Sequence, residues 1–115
     1  MALGQFQATA SISSNTDTSV IAAPGAGQRI VVLWWSIDVS AAGAGSLLRL
    51  EDGAGGTSLL RKSGATVNDR TFEWYAMDGM AIHGVQLSEN TALNAETTTS
   101  SGTASYVINV GYEVR

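Results

Sequence analysis

His83, in the run Ala81-Ile82-His83-Gly84, is the one histidine of the sequence and its one side chain with an ordinary pKa close to neutrality. A serine or threonine nucleophile needs such a base, and the chain contains no cysteine, so a catalytic dyad or triad would hang on this single ring. Nothing around His83 completes one, and it reads as a strand-end or turn residue. Zinc sites use three or four Cys or His ligands, which this composition cannot supply. Among the carboxylates, Glu51 with Asp52, Asp69 with Glu73, and Asp78 could meet around calcium. No D-x-[DN]-x-[DN]-G loop holds them, and they read as solvated loop charges. An acid pair for glycoside cleavage could be drawn from Asp38, Glu51 and Glu73, which are equally well accounted for as outward strand charges. Gly25-Ala26-Gly27 and Gly43-Ala44-Gly45 lead into strands, whereas a phosphate-holding glycine loop leads into a helix. The expectation is a protein without catalytic residues, metal ligands or cofactors.

The aromatic residues say more. Trp34 and Trp35, and Trp74 and Tyr75, form two adjacent pairs. Neighbours on a strand face opposite ways, so one of each pair is turned away from the core. Parity assigns Trp35 inward and Trp34 outward; in Thr71 to Ala76 it groups Phe72 with Trp74 and sets Tyr75 on the other side. An outward aromatic covers a subunit interface, stacks on a sugar ring, or is shielded by a loop. Interfaces are enriched in these residues, which favours the first use.

The elements that must hold these residues are strands. Arg29 to Ser40, RIVVLWWSIDVS, is dense in β-branched and aromatic residues. Its odd positions Val31, Leu33, Trp35, Ile37 and Val39 are expected to face the core. Ile30, Val32 and Trp34 make its first half apolar on both sides, as in a central strand. Ala104 to Val114 alternates, with Tyr106, Ile108, Val110, Tyr112 and Val114 on one face. Shorter strands are predicted at Phe6 to Ile12, Asp17 to Ala23, Ser46 to Glu51, Thr57 to Lys62, Thr71 to Ala76, Ala81 to Leu87 and Thr91 to Thr97. Turn residues such as Pro24-Gly25, Asp52-Gly53 and Asp78-Gly79 separate them. The tract Glu96 to Thr103, ETTTSSGT, reads as an exposed loop. The best helical window, Leu87 to Glu96, is under three turns, and little helix is expected.

With 115 residues, 44% hydrophobic and 14% charged, the chain fits one folded domain over residues 1–115. Eight or nine short strands without covering helices must pack sheet on sheet. The expected fold is an all-β antiparallel sandwich of jelly-roll type, with an immunoglobulin-like sandwich or small barrel as the alternative. Six Lys+Arg against ten Asp+Glu, a net charge of -4, provide no counterion-release drive, so no nucleic-acid partner is expected. The longest apolar run, Ile30 to Trp35, is far short of the roughly 18 residues of a membrane helix, and no membrane partner is expected either. Met1 to Phe6 lacks the basic and apolar regions of a secretory signal, so synthesis in a cytoplasm is expected. Residues 1–14, polar and small except Leu3, Phe6 and Ile12, suit either an arm pairing with another subunit or the first strand of the chain's own sandwich.

The stretch Val20-Ile21-Ala22-Ala23-Pro24-Gly25-Ala26-Gly27-Gln28-Arg29-Ile30-Val31-Val32-Leu33 is followed by an Ala/Gly turn, the Leu48-Arg49-Leu50 strand and a Thr/Ser/Gly loop before Tyr106-Val107-Ile108-Asn109-Val110. This pattern, over about residues 15 to 114, resembles the small β-sandwich cement or decoration proteins on the heads of tailed bacteriophages. The resemblance implies a non-enzymatic virion protein, often a homotrimer, that binds the capsid exterior and clamps neighbouring copies of the major capsid protein. The contact surface is then expected at Phe6, Trp34, Trp74 and Tyr75. The competing expectation is a carbohydrate- or receptor-binding module of a phage head or tail fibre, with a glycan stacked on an outward aromatic.

Overall fold

The computed structural model describes residues 6–13, 15–63, 70–74 and 84–115. Among them are no helix and nine strands: β1 (Phe6–Ser13), β2 (Thr16–Ile21), β3 (Ile30–Ala41), β4 (Leu47–Asp52), β5 (Thr57–Ser63), β6 (Arg70–Trp74), β7 (Val85–Gln86), β8 (Leu93–Thr98) and β9 (Ser105–Val114). One sheet has the order β1-β9-β3-β6, with the short β7 also on β3; the other has the order β2-β8-β4-β5. Every pairing is antiparallel. First pairs with last (β1 with β9), then β2 with β8, β3 with β6, and β4 with its neighbour β5. This is one long hairpin, folded at the β4–β5 turn and rolled so that its two halves alternate between sheets. The jelly-roll topology follows, with β7 as an addition. Gly53, at φ 82, makes that turn possible, and its carbonyl accepts the Gly56 amide at 3.0 Å.

The inner faces meet in a core of Trp35, Ile37 and Val39 from β3, Tyr106, Ile108 and Val110 from β9, Leu48 and Leu50 from β4, and Leu93 and Ala95 from β8, closed by Ile12 and Ile21. β9 alternates as its sequence predicts. β3 does not. Its register on β9 shifts between Val32, opposite Tyr112, and Trp34, opposite Gly111, leaving Leu33 as an extra residue. Such a bulge inverts the alternation. Ile30 and Val32 therefore join the core before it, and Trp35, Ile37 and Val39 after it. Val31 and Leu33, expected on the core side, are buried outside the core cluster, so the first half of β3 is covered on both sides.

One further expectation is corrected. Glu96 to Thr98 are not loop but the end of β8, as the strand predicted at Thr91 to Thr97 already had it for Glu96 and Thr97, and Thr97 is fully buried. The loop that follows is tied to the β3–β4 connection: the Ser100 amide and hydroxyl and the Thr99 hydroxyl all donate to the Ala44 carbonyl, at 3.0, 2.7 and 3.0 Å. Phe6–Ser13 runs antiparallel along β9 of the same chain, Phe6 opposite Tyr112 and Ser13 opposite Ser105, as the edge strand of its own sheet.

Candidate functional site

Two outward surfaces concentrate functional side chains. On the sheet containing β3, the bulge turns Trp34 away from the core while Trp35 is fully buried within it. Trp34 stands opposite Gly111 of β9 on one side and Trp74 of β6 on the other. The indole is half-buried because it lies directly on Gly111: a Cβ there would fall 2.0 Å from Trp34 Nε1 and 2.3 Å from Cε2. Only glycine leaves room for it. Beside the ring runs a polar ladder, in which Thr9 Oγ1 donates to Asn109 Oδ1 at 2.8 Å and Asn109 Nδ2 to Ser36 Oγ at 3.4 Å. Beyond it Arg70 Nε meets Asp38 Oδ1 at 2.7 Å, an exposed pair of small energetic weight. Of the four expected contact residues, Trp34 is thus placed on an outer face and Trp74 at the register position beside it. The side chains of Phe6 and Trp74, and Tyr75 as a whole, lie outside the described residues, as do His83, Asp69, Asp78 and the side chain of Glu73.

The outer face of the second sheet holds a cluster that the sequence did not announce. One row across it reads Asp17, Glu96, Arg49 and Arg61; the next reads Ser19, Asn94, Glu51 and Ser58. Glu51 was expected to be a solvated charge, yet it is 0% exposed. Arg49 lies over it, its Nη2 3.2 Å from Glu51 Oε2, while Nη1 donates to Glu96 Oε1 at 3.1 Å, Nε to Ser58 Oγ at 2.7 Å and Nη2 to the Gly56 carbonyl at 3.3 Å. Asn94, itself buried, donates to Asp17 Oδ1 at 2.8 Å. Asp17, Glu51 and Glu96 each present a carboxylate oxygen within 4.8 Å of the other two. Burial first, then the charge of Asp17 and a hydrogen bond with it, then the charge of Glu96, push the Glu51 pKa above 4.5, against the opposing pull of Arg49. The signal that could have found this cluster is the outward parity of Asp17, Glu51 and Glu96 on their strands. Bringing them together requires the order β2-β8-β4, which composition and spacing do not contain.

No protein-family model and no curated protein matches the chain. Similarity appears among solved structures. A chain of the acid-stable capsid of Helicobacter pylori bacteriophage KHP30 superposes with a TM-score of 0.66 at 18% identity, over 98% of this chain and 90% of that one. A chain of the Bacillus endospore appendages, described as disulfide-linked pili, gives a TM-score of 0.47 at 10% identity over 95% and 88%. One from the capsid asymmetric unit of cyanophage Pam1 gives 0.47 at 15% identity over 95% and 84%. At 18% identity the likeness to the KHP30 chain is one of fold, and together with the strand pairing it supports a β-sandwich of jelly-roll topology.

Proposed function

We propose that this chain is a structural protein of a bacteriophage virion: a cement or decoration subunit that assembles as a homotrimer, binds the major capsid protein on the outer surface of the head, and stabilises contacts between capsid subunits. It works by binding, after synthesis in the host cytoplasm. The observation that supports this most is the near-complete mutual coverage with a chain of the KHP30 capsid structure, 98% and 90%, at a TM-score of 0.66. The contact surface is the face around Trp34, whose half-buried indole offers an interface a rigid apolar patch beside hydrogen-bonding Ser, Thr and Asn side chains.

The test mixes the purified protein with heads assembled from the major capsid protein of the same phage and measures co-sedimentation and head melting temperature. Binding that raises the melting temperature, and that falls at least about tenfold for Trp34→Glu with an unchanged circular dichroism spectrum, is the expected outcome. Native mass spectrometry is expected to show three chain masses. A protein that ignores heads but binds glycans through Trp34 would instead be a recognition module of a head or tail fibre.

A further inference from the structure

We propose that Asp17, Glu51 and Glu96 form a binding site for one divalent cation of the calcium type, on the outer face of the four-stranded sheet beside its edge strand β2. Calcium takes oxygen ligands at about 2.3–2.6 Å, so two oxygens on one ion are separated by at most about 5 Å. The three carboxylates already satisfy that limit, with oxygens all within 4.8 Å of one another. A second observation concerns Glu51 itself. It is 0% exposed, no N–H or hydroxyl among the described residues donates to either of its oxygens, and the group it faces is the Asp17 carboxylate. Among the described residues its one charged neighbour within ion-pair distance is Arg49 Nη2, at 3.2 Å, which also serves the Gly56 carbonyl. A fully buried carboxylate held this way is costly unless a further positive charge reaches it. Arg49 pairs with Glu51 and Glu96, whereas Asp17 has Asn94 as its partner and no cation within ion-pair distance among the described residues. The donors are all oxygen, with no imidazole or thiolate, which selects a hard ion. Asn94 on Asp17 and Arg49 on Glu96 orient two of the ligands from behind. Asp17 is exposed and gives the ion a way in from solvent.

The full chain, stripped with EDTA, is titrated with CaCl2 at neutral pH by calorimetry, and its melting temperature is followed in parallel against NaCl at matched ionic strength. One saturable site is expected, with a rise in melting temperature of about 5 °C or more at a hundredfold excess over the dissociation constant. Glu51→Gln and Asp17→Asn should each weaken calcium binding at least about tenfold. Asp17 is exposed and outside the core, so Asp17→Asn keeps the fold and decides the matter should Glu51→Gln fail to fold. No saturable heat up to about 10 mM CaCl2, a rise reproduced by NaCl, or parental affinity in a folded Asp17→Asn variant would overturn the assignment.

Discussion

Replacing Gly111 by alanine probes the seat of Trp34 with one methyl group. The added Cβ would lie 2.0 Å from Trp34 Nε1, 2.3 Å from Cε2 and 2.7 Å from Cδ1, where ordinary contact begins at 3.4 Å. β9 is held between β1 and β3, so its backbone cannot retreat, and the indole must leave. A buried tryptophan covers about 150–250 Å², so lifting a half-buried one re-exposes about 100 Å², or about 2.5 kcal/mol at 25 cal/mol per Å². Gly111 has no positive φ, so alanine also restrains the unfolded chain, offsetting about 0.4–1 kcal/mol. The net expectation is a loss of about 1.5–2 kcal/mol, read as a lower urea midpoint at unchanged m-value. In a Trp34→Ala background the same substitution should cost nothing, a coupling visible in a double-mutant cycle. A Gly111→Ala variant as stable as the parent, or a penalty that persists without the indole, would refute the packing argument.

Two other perturbations report on the interior and on the buried carboxyl. Among the described residues Trp35 is the largest fully buried side chain; Trp35→Ala should cost about 3–5 kcal/mol and strip the thermal transition of its cooperativity, whereas a loss below about 1 kcal/mol would contradict its place in the core. The Glu51 pKa is raised by folding, so the native state holds that proton more tightly than the unfolded chain. The associated stability is fully present below 4.5 and fades as pH rises through the folded value. In EDTA, acidification from neutral pH toward 4.5 should therefore add stability with a slope of at most about 1.4 kcal/mol per pH unit from this group, with Asp17, Glu96, Arg49, Asn94 and Ser58 as its polar neighbours. Urea midpoints across that range should show the rise in the parent and lose it in Glu51→Gln; identical profiles would exclude Glu51 as its source.

Much of this architecture was legible in the residues, for identifiable reasons. β9 alternates from Ser105 to Val110 because one of its faces is core and the other is outer surface, and that contrast can be read in its side chains. The opposed directions of Trp34 and Trp35 follow from strand geometry alone. The β3 bulge could not be read, since Ile30 to Trp35 are all apolar and either parity gives an equally hydrophobic inner face. The bulge sets Trp34 opposite Gly111, 77 positions on, where the small residue accepts the indole. The start of the Thr/Ser tract drew two readings, strand to Thr97 and loop from Glu96, because low complexity suggests a loop while threonine is a good strand former; the strand runs through Thr98, with Thr97 facing inward. Glu51 looked solvated because nothing local shows that Arg49 folds over it. The carboxylate cluster depends on which strands become neighbours, a property of the whole roll.

The pairing of first strand with last also sets a timetable for folding. β9 lies between β1 and β3, and it joins Thr9 to Asn109 across 100 residues. While a nascent chain ends anywhere before β9, both β1 and β3 present unpaired edges to each other and to any neighbouring polypeptide. β9 is thus the strand that completes this sheet, and the sheet must wait until β9 has cleared the ribosome. Contacts this distant in sequence make the step slow. Chains translated side by side on one message would then be most prone to exchange β1 or β9 during that interval, and rapid, abundant synthesis would favour intertwined products over separate ones.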